Sequence, residues 1–337
     1  MKGRAGKKIS RALSTTGLPV SPSHPFVAIV GAGRLGGALA RALDSAGYRI
    51  TALVARRPAR ARQVARLCPN STPLALAASQ LERLPAHTDL LLIATPDAQL
   101  AETASRLAAS LTAQAAAGPQ QQQHQGTKRK PPGRRVALHA SGALPSGVLD
   151  PLRALNFAVG SLHPLASVSD AESGAENLRG AYYCVEGDEA ARRAARRIVR
   201  ALGGHSFGIS PDDKALYHAV AVMTAGHVVA LFDLASELLA RCGLTGDQSR
   251  AALLPLLSSA VANLRHASSP AHALTGTFAR ADAGTVRRHL VALREQNAPT
   301  ALAVYTLLGR RSLELARAAG ADDEALNEIA RLLEKKG

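Results

Sequence analysis

Residues 27–36 read VAIVGAGRLG and limit the possible folds of this chain more than any other stretch. Val27, Ala28, Ile29 and Val30 form a continuous apolar run, the pattern of a parallel strand buried on both faces. Gly31, Ala32, Gly33, Arg34, Leu35 and Gly36 follow at once, and Leu39, Ala42 and Leu43 then recur at helical spacing up to Gly47. The three glycines meet separate demands. Gly31 permits a tight turn, Gly33 lets a pyrophosphate approach the backbone, and Gly36 lets helix and strand pack closely. The helix that opens here points unpaired N–H groups and the positive end of its dipole at that anion. With a second apolar strand at residues 50–55, the spacing predicts a dinucleotide-binding βαβ unit.

The end of that second strand bears on which dinucleotide. An NAD site usually has Asp or Glu about 20 residues past the glycines, on the ribose hydroxyls. Here Ala55 stands in that place, followed by Arg56, Arg57 and Arg60. A carboxylate would repel a 2′-phosphate, whereas guanidinium groups bind one in bidentate fashion. NADP (NADPH) is the expected cofactor; the alternative is a solvated basic loop before a helix.

The chain has 337 residues, enough for two domains, and 47% are hydrophobic with only 3% aromatic. Its core must therefore rest on Ala, Leu and Val. No apolar stretch is expected to reach the ~20 residues of a membrane span, and no secretory signal is expected. The net charge of +16 is concentrated in residues 1–23 and 113–135, which carry +5 each without an acid. Neither segment has an aromatic residue to stack on a base, so specific nucleic-acid binding is not expected. Cys68, Cys184 and Cys242 are far apart and lack metal-ligand spacing. A reducing cytoplasm is the expected setting, with each cysteine a small buried hydrophobe.

Residues 1–23 lack periodicity and are expected to be a disordered leader. Residues 24–209 alternate strands and helices as a Rossmann-type domain does, broken at 113–135 by a Gln-rich insertion with a Pro pair. Strands are expected at residues 90–94, 136–142, 157–162, 182–186 and 206–209, and helices at 148–155 and 188–202. Composition then turns to helix alone. Ser210, Pro211, Asp212 and Asp213 make a strong start signal for a long helix reaching Arg241. Thr245 and Gln248 have capping-box spacing for a second, and helices follow near 283–294, 299–318 and 322–335. The expected fold class is α/β plus all-α: a doubly wound sheet at 24–209, then a helical domain at 210–337 for substrate binding and dimerisation.

Ligands bind at the C-terminal ends of strands in doubly wound sheets. Three turns are expected there: Thr95-Pro96-Asp97, His139-Ala140-Ser141-Gly142 and His163-Pro164. Thr95, Pro96 and Ser141 are candidates for the cofactor. Lys214 and His218 lie four apart and share one helix face; Lys can hold a carboxylate or pass a proton, and His titrates near neutrality. Each also has a plain alternative, a solvated Lys or a core His bonded to backbone. Ser141 lacks a nucleophile-elbow pattern, which argues against a hydrolase. Arg280, in the irregular stretch 274–282, is a candidate clamp for a substrate anion or a helix C-cap.

VAIVGAGRLGGALARAL, SGALPSG, SLHPLAS, KALYHAVAV and LTGTFARADAGTVRRHL together resemble an uncharacterised bacterial family that joins a Rossmann-like domain to a helical domain of unknown function. The resemblance spans residues 25–330 apart from the insertion. That family is similar to pyrroline-5-carboxylate reductases, deazaflavin-dependent NADP reductases and, more distantly, 6-phosphogluconate and hydroxyisobutyrate dehydrogenases. It implies a helical domain like the C-terminal one of 6-phosphogluconate dehydrogenase, and a homodimer. In the last two groups a catalytic Lys has a polar partner four residues on, a spacing that Lys214 and His218 match with His in place of Asn. The chain departs from the family at Ala225-Gly226, where Ser-Asn is usual. It departs again at Gly276-Thr277 and at Arg280-Ala281-Asp282, where Gly-Pro and Arg-Gly-Asp are usual. The function implied is NADP-dependent hydride transfer to or from a small anionic oxo, hydroxy or imine compound in an interdomain cleft. Lys214 or His218 would give the proton, and His163, Ser141 and Arg280 would orient the substrate. The alternative is a catalytically silent NADP-binding sensor or docking protein.

Overall fold

In the computed structural model the described residues are 25–116 and 135–334; the leader and residues 117–134 of the expected insertion lie outside them. They form two compact units, one through Ala221 and one from Val222.

The first unit is built on the glycine stretch. β1 (Phe26–Val30) leads into α1 (Arg34–Ser45), β2 (Arg49–Ala55), α2 (Pro58–Ala65) and β3 (Leu74–Ala77). β4 (Leu90–Ile93), α3 (Asp97–Ala116), β5 (Arg135–His139) and β6 (Phe157–Pro164) continue the unit. α4 (Ala171–Asn177), β7 (Tyr182–Gly187), α5 (Glu189–Ala201) and β8 (His205–Phe207) complete the sheet. The strand order is β3-β2-β1-β4-β5-β6-β7-β8, with every neighbour parallel except β6 and β7. The first six are in the doubly wound order, which brings the C-terminal ends of β1, β2, β4, β5 and β6 to one edge.

Alternation along β1 explains its continuous apolar run. Val27 and Ile29 join the core on one face of the sheet, Ala28 and Val30 the core on the other. Helices cover both faces, so neither register position meets water. α5 shows the opposite pattern, burying Ala191, Ala194, Ala195, Ile198 and Val199 and turning its arginines outward.

Local chemistry overrides the sequence pattern in several places. Residues 146–155 form 3-10 turns, not the expected helix, because Pro151 lies inside them and lacks the N–H a longer α-helix needs. β3 and α4 have too few residues for a periodicity to show.

The helical run at the start of the all-α region divides into α6 (Lys214–Thr224) and α7 (Gly226–Arg241). α8 (Gly246–His266) has the expected capping box, with Gln248 N donating to Thr245 Oγ1 and Thr245 N donating to Gln248 Oε1. Two single-turn helices, α9 (Pro270–Ala273) and α10 (Gly276–Ala279), fill the irregular stretch. α11 (Ala283–Glu295), α12 (Pro299–Ala318) and α13 (Asp323–Glu334) follow. They hold the second unit's own core: Ala283, Val286, Leu290, Leu313, Ala316, Leu326, Ile329 and Leu333.

Two expectations need correction. Pro211–Arg241 is long and apolar enough to cross a membrane by length and composition alone, and an 18-residue window within it has a mean hydropathy of 1.6. Asp212, Asp213 and Lys214 are consecutive at its start, and the Ala-, Val- and Leu-rich run from there up to Asp233 carries no Asp, Glu, Lys or Arg. Cys242 is exposed at the end of α7, whereas Cys68 and Cys184 are buried as expected.

Candidate functional site

A cavity of about 1050 Å³ opens at the C-terminal edge of the sheet in the first unit. Its floor is Gly31, Ala32, Gly33, Arg34 and Leu35, its walls include Ala55, Arg56, Arg57 and Arg60, and Ala94, Thr95 and Pro96 close one side. Gly31 has φ +103°, and a Cβ there would lie 2.6 Å from the Ala94 carbonyl carbon. A Cβ on Gly36 would lie 2.0 Å from the Gly31 carbonyl oxygen, so α1 can start here only without a side chain at that position. At Gly33 a Cβ would meet nothing within 4 Å. The first turn of α1 has no side-chain cap and no acid. Its free N–H groups therefore face the open space above Gly33.

The same cavity is rich in cations. Arg34, Arg56, Arg57, Arg60 and Arg106 line it, against one acid, Glu102. Arg60 donates to Gln63 at 2.7 Å, and Arg106 donates to the Ala78 carbonyl at 2.7 Å. Thr95 Oγ1 is buried without a hydrogen-bond partner. An open glycine cradle, an orphaned hydroxyl and an excess of guanidinium groups are what a dinucleotide with an extra phosphate would satisfy. A phosphorylated dinucleotide fits.

A polar cluster lies at the next strand ends. β5 pairs with β6 so that His139 is opposite Ser161, and Ala140 N donates to the Ile93 carbonyl at the end of β4. Lys214 is 1% exposed. Its Nζ donates to the Ser141 carbonyl at 3.2 Å and to Ser161 Oγ at 3.1 Å. Among the described residues no carboxylate forms an ion pair with it. Burial lowers its pKa, while Cys184, Glu186 and Asp97 pull it back. An unpaired buried ammonium is costly and marks a functional candidate.

The Lys214 charge acts on two imidazoles. Burial first, then Lys214, holds His139 down to about 3. Its Nδ1 accepts from Ser141 N at 3.2 Å. Nε2 has no partner in hydrogen-bonding geometry, although the Pro145 carbonyl is near enough to oppose the shift. His163 is also held at about 3, by burial, Lys214 and His218 in that order. Its Nδ1 is hydrogen-bonded to the Tyr217 hydroxyl at 2.6 Å. The His163 and His218 rings meet edge to face at 5.5 Å. Both rest on Gly142, where a Cβ would lie 2.5 Å from His218 Nδ1 and 2.8 Å from His163 Nε2.

Of the expected site residues, Gly31, Ala32, Gly33, Arg34, Leu35, Ala55, Arg56, Arg57, Thr95 and Pro96 line the cavity, and Gly36 packs beneath it. Lys214, His218 and His163 come together as one cluster. Ser141 joins this cluster through its carbonyl. Its hydroxyl accepts from Ala143 N and Leu144 N in a turn, and it does not line the cavity. Arg280 is exposed in the second unit, at the C-terminal end of α10. Tyr217 and Ser161 were not singled out from the sequence. Tyr217 sits between Lys214 and His218, a position that their spacing alone does not flag. Ser161 had only its place near a strand end to mark it.

Residues 13–164 match a Rossmann-like domain, and residues 181–312 match a domain of unknown function (DUF2520). The chain joins a Rossmann-like domain to a DUF2520 domain. The Rossmann-like match contains the whole glycine floor, and the DUF2520 match contains Lys214, Tyr217 and His218. No curated protein matches the chain. Among solved structures, a Thermotoga maritima protein is 22% identical with a TM-score of 0.66, covering 86% of this chain and 99% of its own. A Bacteroides fragilis protein provisionally named an NADP oxidoreductase is 20% identical with a TM-score of 0.65, covering 87% and 99%. The NADP-bound pyrroline carboxylate reductase of Plasmodium falciparum is 11% identical with a TM-score of 0.54, covering 92% and 100%. At such identities these likenesses establish the fold.

Proposed function

We propose that this Rossmann-like DUF2520 protein is an NADP-dependent oxidoreductase acting on a small anionic oxo, hydroxy or imine compound. The observation that carries the proposal is the cavity over Gly33, with Arg56, Arg57 and Arg60 where an NAD site has an acid. Two of its structural likenesses are described as an NADP oxidoreductase and as an NADP-bound reductase, which supports the same cofactor. Gly31–Gly36 would hold the pyrophosphate, and the three arginines the 2′-phosphate. Bound there, the cofactor supplies or accepts a hydride. Lys214 supplies a fixed positive charge that favours an anionic substrate, and the imidazoles beside it supply the proton. The test is NADPH oxidation by the whole protein with a panel of 2-oxo acids and cyclic imines. Turnover with one of them is expected. NADPH binding without turnover on the panel would favour the catalytically silent sensor.

We infer also that two copies pair through the second unit. Val229, Leu256, Leu264 and Leu307 are 70%, 65%, 58% and 69% exposed there, and α7 buries no residue of its own within the chain. Helices apolar on more than one face need cover on more than one face, which a second copy supplies.

A further inference from the structure

Lys214, His218 and His163 are the candidates for giving the substrate its proton, and the geometry separates them. The Lys214 ammonium is enclosed, with two of its three donors committed to Ser141 and Ser161. The Nδ1 of His218 is buried on Gly142 without a partner, and no residue fixes that ring's tautomer. His163 differs on both counts. It is partly exposed, and its Nδ1 is tied to Tyr217 at 2.6 Å while Nε2 has no partner among the described residues.

We propose that Tyr217 is a positioning residue that donates its hydroxyl hydrogen to His163 Nδ1, so that His163 presents Nε2–H as the proton donor to the substrate's carbonyl oxygen or imine nitrogen. This rests on the oxidoreductase proposal above and names the group that completes its chemistry. The polarity of the hydrogen bond follows from the surroundings. Burial raises the Tyr217 pKa, so the hydroxyl keeps its proton, and burial together with the nearby ammonium keeps His163 neutral. A neutral imidazole that accepts at one nitrogen carries its proton on the other. Hydride addition breaks the π bond of the substrate's C=O or C=N, and the electron pair left on oxygen or nitrogen takes the Nε2 proton. As the Nε2–H bond breaks, Nδ1 takes the Tyr217 proton, and the phenolate is reprotonated from water. Lys214, 5.9 Å from the Tyr217 ring centre, offsets the transient negative charge.

Two measurements on the full chain test this. Nitrogen-15 spectra of the histidine side chains, with His163 assigned by His163→Gln, are expected to show its proton on Nε2 at pH 7 and a mixture of tautomers in Tyr217→Phe. A proton on Nδ1 in the unsubstituted protein overturns the proposal, with no substrate or cofactor needed. With a panel compound that the unsubstituted protein reduces, Tyr217→Phe is expected to lower kcat about 100-fold, in the range of general acid catalysis, with KM and NADPH affinity held. An unchanged kcat overturns it. If Tyr217→Phe does not fold, the His163 tautomer in the unsubstituted protein decides alone: a proton on Nε2 supports the proposal and a proton on Nδ1 overturns it. Failure of the oxidoreductase proposal is seen separately, as absence of turnover in the unsubstituted protein, and removes the relay with it.

Discussion

Burial first, and the Lys214 ammonium second, set the charge state of the imidazoles in the polar cluster. His139 and His163 are held at about 3 in the fold, while an unfolded histidine titrates near 6.5. Above pH 6.5 both are neutral in either state and cost nothing. As pH falls from 6.5 towards 3, the unfolded chain takes up protons that the folded chain does not, so stability is lost across that window. For the fully buried His139 the loss at pH 5 is roughly 2 kcal/mol. Urea midpoints that do not fall between pH 7 and pH 5 would contradict this. Replacing the charge is expected to act on the neighbours: in Lys214→Met, the His163 titration midpoint should rise, as followed by proton NMR. Lys214, His163 and His218 were legible in the sequence because strand ends and helical spacing mark them. Tyr217 was not, since its importance depends on which ring nitrogen it reaches. Ser141 reaches Lys214 through its carbonyl while its hydroxyl closes its own turn, a division of roles that its place at a strand end does not show.

The glycine stretch and the irregular helical loop show how elements depend on backbone shape. Gly33→Ala adds a methyl group into open space, so melting should be near that of the unsubstituted protein while NADPH affinity falls at least about tenfold, the weight of a single charged contact. Gly36→Ala forces a Cβ onto the Gly31 carbonyl, so its melting temperature should drop sharply. Equal melting of the two variants would refute this division of labour. At Ala281 the backbone favours glycine, as the resemblance implies. Ala281 has φ +50°, a left-handed conformation costly for a residue with a Cβ. Ala281→Gly is therefore expected to stabilise the second unit by about 1 kcal/mol, measured by denaturant unfolding. The strands and long helices were readable from periodicity. The 3-10 turns around Pro151 and the break at Ala225 were not, because the surrounding residues suit a helix and only local geometry decides.

At the scale of the whole molecule, the second unit's core lies in α11 to α13, while α7 and α8 leave large apolar side chains uncovered. Light scattering at micromolar concentration is expected to give about twice the 35.0 kDa chain mass; a single-chain mass would reject pairing, and recovery only with detergent or vesicles would favour a membrane surface instead. The central claim concerns the cofactor, and calorimetric titration of the full chain with NADPH and NADH tests it most directly. NADPH is expected to bind at least about tenfold more tightly, one charge-assisted contact's worth. In Arg56→Ala/Arg57→Ala the preference should collapse by loss of NADPH affinity alone. Equal affinity for the two dinucleotides, or a preference for NADH, would contradict the account.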